Sequence, residues 1–463
     1  METRPGKLYT LLDTALAGVS AAVCAAMALA AALYILLDSP AHGAALAASG
    51  ALLAAALCFA AGRIPEWAAR CGLIVFSAAL ILRVLAVLLL PSEPISDFYL
   101  LYSAAERAAG GDAGAFSDRY FALWGYQIPF SLYEALIIKL GGGETALGLL
   151  NALWGALTAW LVYDIARRFA GGGPALAAGL AYAFYPGALL LTPVLTNQCI
   201  SLAFMLLGIR LWLDGGAARA AAGGAALAFG NLMRPEAAMA VCGMLAALVL
   251  SLLSRSGKRR SLLTEALAFA AGYAALTLAA NAAAGLSALA PNGIGSAAPE
   301  WKFVLGLDTE TLGRYDASLA YILDIADAGE RRAEALRAIR SSLDSCASLP
   351  LFFIEKAASF WGRYEDIWLG SESELANLLR LAERAFFIAG TGLAAAGCLS
   401  RRGPAAETLA RGAVFACFAA FLFIEVQPRY RYFVWPFVFI LAAAGIKRLA
   451  RRRRTGHWRN ERV

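Results

Sequence analysis

Histidine is nearly missing from this chain: 463 residues contain two, His42 and His457. That makes a histidine-ligated metal centre improbable. Charge is scarce as well. Charged residues make up 16% of the sequence, against about 25% for a soluble domain that must solvate its surface, so much of this surface must meet something other than water. A disulfide framework and CxxC metal spacing are also lacking. Cys24, Cys58, Cys71, Cys199, Cys242, Cys398 and Cys417 lie in or beside apolar runs, where a thiol packs as a small hydrophobe, and Cys346 stands alone in a polar segment.

What the chain has is apolar length. Hydrophobic residues make up 60% and the mean hydropathy is +0.64. Runs at 11–37, 71–91, 173–193 and 262–290 can each cross a hydrocarbon core of about 30 Å. The first is longer than a signal-peptide core and lacks a clear cleavage pattern, so it reads as a retained helix. The net charge of +7 suggests nucleic acid until the cations are located. Arg63, Arg70, Arg255, Lys258, Arg259, Arg260, Arg401, Arg402 and the tail from Lys447 to Arg454 flank apolar runs. This is the positive-inside pattern of a multi-pass protein in an inner or plasma membrane, with both termini cytoplasmic and the tail touching anionic lipid heads. No nucleic-acid partner is expected.

Spans near 8–37, 43–62 and 71–91 leave a first polar loop, 92–125, outside. The chain then divides into an N-terminal transmembrane module, 1–290, a large extracytoplasmic loop, 291–375, and C-terminal helices with a basic tail, 376–463. The last part holds spans near 377–399, 412–424 and 432–449, the middle one short. Two segments admit two readings. Residues 126–140 form either a partial hairpin before a descending 145–166 or a full span. Residues 220–252 form either a pair of broken helices with Arg234-Pro235-Glu236 at the apex or one long span with a buried arginine. The fold class is all-α, with 11 or 12 spans and no detectable internal repeat.

Charge at or inside a membrane is costly and usually has a partner and a task. Ser96-Asp97 follows the third span directly; it reads as a helix N-cap or as a carboxylate at the mouth of the bundle. Arg234 and Glu236 flank Pro235, as an ion pair at a kink or as part of a site. The turn Glu425-Val426-Gln427-Pro428-Arg429-Tyr430-Arg431-Tyr432 carries two arginines where positive-inside statistics predict few. Tyrosines there suit an interfacial anchor, whereas paired guanidinium forks suit phosphate oxygens.

An acid after an early span, a large late external loop and an E-x-x-x-RYR turn before the last span together resemble the GT-C superfamily. The similarity is nearest to bacterial glycosyltransferase family 39, the group of protein O-mannosyltransferases and the lipid A aminoarabinose transferase. Pro129 to Gly141, Tyr163 to Arg168, and Tyr185-Pro186 followed by Thr192 add to it in the same order. The resemblance implies a GT-C-like bundle with extracytoplasmic loop helices and glycosyl transfer from a polyprenyl-phosphate-linked sugar to a lipid, glycan or protein acceptor. It implies Asp97 as catalytic base and a donor-phosphate site of Arg429, Arg431, Tyr430 and Arg234, with Glu236, Glu425 and Asn197 in support. It fixes no cofactor and leaves room for a divalent cation. Where the family often carries a second acid after its Pro186 motif, this chain has Asn197-Gln198. Trp301, Trp361 and Trp368 read as packing rather than as sugar platforms. The competing class is a transporter or flippase for an amphipathic lipid.

The orientation is testable. With Cys346→Ser as background, Ser318→Cys should react with an impermeant maleimide in intact cells. Labelling only after the membrane is opened would reverse the topology.

Overall fold

The computed structural model describes residues 6–90, 92–254, 259–287, 290, 293–364, 373–400 and 403–460, with side chains to 451. Arg255, Lys258, Arg401, Arg402 and Trp368 fall outside that set, as do the side chains of Arg452 to Arg454. The regular structure among the described residues is helical, apart from an isolated antiparallel bridge between Trp124 and Ser296.

The N-terminal half runs α1 (Lys7–Asp38), α2 (Pro40–Ala61), α3 (Glu66–Arg70), α4 (Gly72–Leu89), α5 (Asp97–Ala109), α6 (Arg119–Leu123), α7 (Ile128–Lys139), α8 (Glu144–Ala170), α9 (Gly172–Ala183) and α10 (Pro186–Leu191). Then come α11 (Gln198–Leu213), α12 (Ala217–Met233), α13 (Ala237–Leu253) and α14 (Arg259–Leu286). The remainder holds α15 (Trp301–Gly306), α16 (Ala328–Ser345), α17 (Leu349–Gly362), α18 (Glu374–Cys398), α19 (Ala405–Phe423) and α20 (Trp435–Asn460). A 3-10 turn, Pro428–Phe433, separates the last two. Six helices, α1, α2, α4, α8, α14 and α19, are long and apolar enough to cross a membrane by length and composition, and the protein is a multi-pass, all-α membrane protein.

Both ambiguous segments resolve. Residues 126–140 hold α7, whose 12 residues cover about 18 Å at 1.5 Å per residue, short of a hydrocarbon core of about 30 Å, and which packs on α5. Residues 220–252 form two helices, α12 and α13, broken at Arg234-Pro235-Glu236 because Pro235 cannot extend the hydrogen-bond ladder. The expected short span 412–424 is in fact α19, beginning at Ala405. The periodicity was hidden by Glu407 and Arg411, which are buried and paired with one another, with Asp13 of α1 also 3.6 Å from Arg411.

Close helix crossings use small residues, since lipid tails supply little hydrophobic drive between helices. The first three turns of α20 are fully inside and pack on α18, α9, α8 and α19. A Cβ on Gly445 would sit 1.9 Å from the Leu393 carbonyl of α18. By contrast α14, at the edge against α12, buries only Ala284. Gly445→Val should therefore push α18 from α20 and lower the melting temperature, the overpacking costing about 1–3 kcal/mol or more. Gly392→Ala, which meets nothing within 4 Å, should leave it unchanged or raise it.

Candidate active site

The site forms where the broken helices end. Pro94 and the following residues carry the chain from α4 to α5, and Asp97 is the first residue of α5. Ser96 just before it has φ 52° and ψ −128°, a region that costs a non-glycine residue about 1–3 kcal/mol and recurs at functional sites. The cap reading fails for Ser96, whose side chain makes no capping bond. Asp97 is half exposed, and its carboxylate lies 3.7 Å from the Arg429 guanidinium. Arg429 stands on the second residue of the 3-10 turn, with its guanidinium 4.7 Å over the Phe98 ring. It makes no side-chain hydrogen bond among the described residues, and its Nε is buried without a partner. A cation desolvated to that extent with one distant carboxylate still has hydrogen-bonding capacity for an anion.

Tyr430 is the hub of the cluster. Arg234, Lys302 and Arg429 lie 5.1, 5.5 and 5.7 Å from its ring centroid, within cation–π range. Arg234 bonds Glu236 at 2.5 Å and donates to the Asn197 amide oxygen at 3.2 Å, while Asn197 in turn donates to Gln127 at 3.1 Å. One arrangement thus makes the kink ion pair and also brings Arg234 to the Tyr430 ring. Gln198 donates to the backbone carbonyl of Arg429 at 2.7 Å. The Asn197-Gln198 pair, where an acid was expected, therefore holds two arginines without cancelling their charge.

Lys302 was not expected from the sequence. It sits in the short α15, pairs with Glu425 at 2.5 Å and donates to the Tyr430 hydroxyl at 3.4 Å. Burial works against its charge, but Tyr430, Glu425 and Tyr126 outweigh that and raise its pKa. Burial pushes the Glu425 carboxyl upward; the Lys302 ammonium and the Gln427 amide overcome it and hold it below its usual range. Tyr120 and Tyr126 complete the wall: burial raises both phenols, and the Asp97 charge adds to it. The one available signal for Lys302 was a lone cation inside an otherwise apolar WKFVLG helix.

Arg431 is the correction. It was expected at a donor phosphate, but its side chain is fully buried and donates to the carbonyls of Pro428, Phe360, Arg363 and Tyr364. A 3-10 turn points successive side chains about 120° apart, so Arg429 and Arg431 face different surroundings. Trp301 and Trp361 are buried, the latter stacked on Phe418, as the packing reading expects. Among the described residues no group of three or more His, Cys, Asp or Glu could hold a metal ion.

Residues 130–283 match the family model described as dolichyl-phosphate-mannose-protein mannosyltransferase. The match covers about a third of the chain and agrees with the GT-C resemblance over that stretch. The matched stretch runs from α7 to α14 and includes Asn197, Arg234 and Glu236, but neither Asp97 nor the 425–432 turn. A crystal structure of ArnT from Cupriavidus metallidurans bound to undecaprenyl phosphate is similar at 18% identity, covering 82% of this chain and 77% of that one, with a TM-score of 0.33. A comparison with curated proteins gives no match.

The two arginines of the turn should separate experimentally. Arg431→Met leaves buried carbonyls unpaired at about 1–3 kcal/mol each and should lower the melting temperature by many degrees. Arg429→Met, which breaks no hydrogen bond, should shift it little. Equal losses would contradict the assignment of Arg431 to the scaffold alone.

Proposed function

We propose that the protein is a membrane glycosyltransferase that moves a sugar from a polyprenyl-phosphate-linked donor to an acceptor hydroxyl on the extracytoplasmic side. The observation that carries this reading is the juxtaposition of a half-exposed carboxylate, Asp97, with a mostly buried guanidinium, Arg429, that makes no side-chain hydrogen bond among the described residues. A phosphate is the anion such a guanidinium fits, and Lys302 and Arg234 add positive field from the other sides of Tyr430.

In the reaction, the acceptor oxygen bonds to the anomeric carbon as the bond from that carbon to the phosphate oxygen breaks. Asp97 takes the acceptor proton, and the electron pair leaves on the lipid phosphate. That leaving group is a stable anion, so a strong general acid is unnecessary, which fits amides at 197 and 198 in place of a second acid. The cations hold the charge as it develops, the preorganised electrostatic contribution that usually dominates such catalysis. Glu236 and Glu425 keep Arg234 and Lys302 in place without reaching the phosphate themselves.

The test is a pair of variants. Asp97→Asn should abolish transfer, with a loss of about 10²–10⁴-fold, while affinity for undecaprenyl phosphate stays near wild type. Arg429→Ala should weaken that affinity by roughly ten- to hundredfold, with Arg429→Lys recovering only part because the fork is lost. An Asp97→Asn variant retaining more than about a tenth of turnover would remove the base assignment.

A further inference from the structure

Lys356 lies outside the cluster just described, on α17, and it is fully buried. Its ammonium has three N–H donors and meets three backbone carbonyls: Gly306, Leu422 at 3.1 Å and Ile424 at 2.9 Å. Gly306 ends α15, one helical turn after Lys302. Leu422 and Ile424 belong to the end of α19, and Ile424 immediately precedes Glu425. At Gly306 the two segments meet backbone to backbone, since a Cβ there would lie 2.3 Å from the Phe423 carbonyl. The Glu425 amide donates to the Lys302 carbonyl at 2.8 Å, and the Val426 amide to Gly313 at 2.8 Å. Gly313 itself takes φ +82°, and any Cβ there would run into the Lys356 stem at 2.5 Å. One ammonium therefore stands at the junction of the two strands of chain that carry Lys302 and Glu425.

We infer that Lys356 is a positioning residue for the candidate donor site: by filling three carbonyls on α15 and α19 it holds the Lys302 ammonium against Glu425 beneath Tyr430. The inference rests on the donor-phosphate reading only for its consequence in binding; the geometry it asserts belongs to the free protein. Charged groups brought by its neighbours are Glu425 from the turn, Lys302 from α15 and Arg314 beside Gly313. Of these Glu425 acts on it, favouring the ammonium, but burial is the larger effect and draws its pKa down to about 7. A neutral amine offers two N–H groups to three carbonyls, so the clamp loosens as pH rises through that value.

The experiment uses the full-length protein with Lys356→Met, Lys356→Gln and Lys356→Arg. Acetylation of Lys302 by acetic anhydride, followed by mass spectrometry of its peptide, reads the Lys302–Glu425 pair directly. Undecaprenyl phosphate is the binding probe. The Met and Gln variants should acetylate at Lys302 several times faster than wild type and bind the probe roughly tenfold more weakly, and adding Lys302→Met should make binding no worse, as expected for coupled groups. Wild-type affinity should fall between pH 6.5 and 8.5, opposite to the rise expected from phosphate ionisation near pH 6, and Lys356→Arg should keep the site intact without that fall. Unchanged Lys302 acetylation in variants that lose only melting temperature would overturn the inference. A wild-type protein that does not bind undecaprenyl phosphate would sink the donor reading alone, with acetylation still deciding the role of Lys356.

Discussion

Buried helix C-termini are the constraint on which the rest of this structure depends. An interrupted helix inside an apolar bundle leaves carbonyls that water cannot reach, and each must be paired. This chain pairs them with cations, which also suit the negative end of the helix dipole. Arg384 donates to Trp361 and Gly362 at the end of α17, and Arg431 to Phe360, Arg363 and Tyr364 around the same end. Lys356 does so for α15 and α19, Arg83 for Ala183 at the end of α9, and Lys447 for Phe169 near the end of α8. Charges that look expensive in a membrane protein thus replace solvent where the helices break.

That arrangement explains why the 424–433 turn can hold a site. Arg431 and Lys356 fix its two flanks by backbone carbonyls, so Tyr430 is held in one orientation, stacked on Phe421. Three cations then gather around a single ring from three separate segments, α12, α15 and the turn itself. Only Arg429 among them is free of a strong partner. Arg234 and Lys302 are paired with Glu236 and Glu425, which holds both cations against the Tyr430 ring. Within three residues of sequence the turn therefore holds one arginine bound to backbone carbonyls and one without them.

Much of this was legible in the sequence, and the failures have physical causes. Apolar runs marked the bundle because crossing lipid needs length. Asp97, Arg234 and the turn stood out because charge beside an apolar run is conspicuous. Composition and order pointed to the GT-C resemblance, which the match over 130–283 supports. What could not be read was which arginine of the R-Y-R turn is taken up by backbone carbonyls, since that depends on the turn being 3-10 and on carbonyls at the end of α17, some seventy residues earlier. Lys302 was hidden for a related reason: α15 is six residues long and meets Glu425 only through long-range folding. The early start of α19 was masked because Glu407 and Arg411 look polar singly and are neutral together.

The most direct test of the central claim is chemical turnover. Purified protein incubated with a panel of polyprenyl-phosphate sugars and a membrane extract as acceptor source should release lipid phosphate from one class of donor, in step with the appearance of a glycosylated product. Release from no member of the panel, by protein shown to be folded and to bind undecaprenyl phosphate, would contradict the glycosyltransferase account.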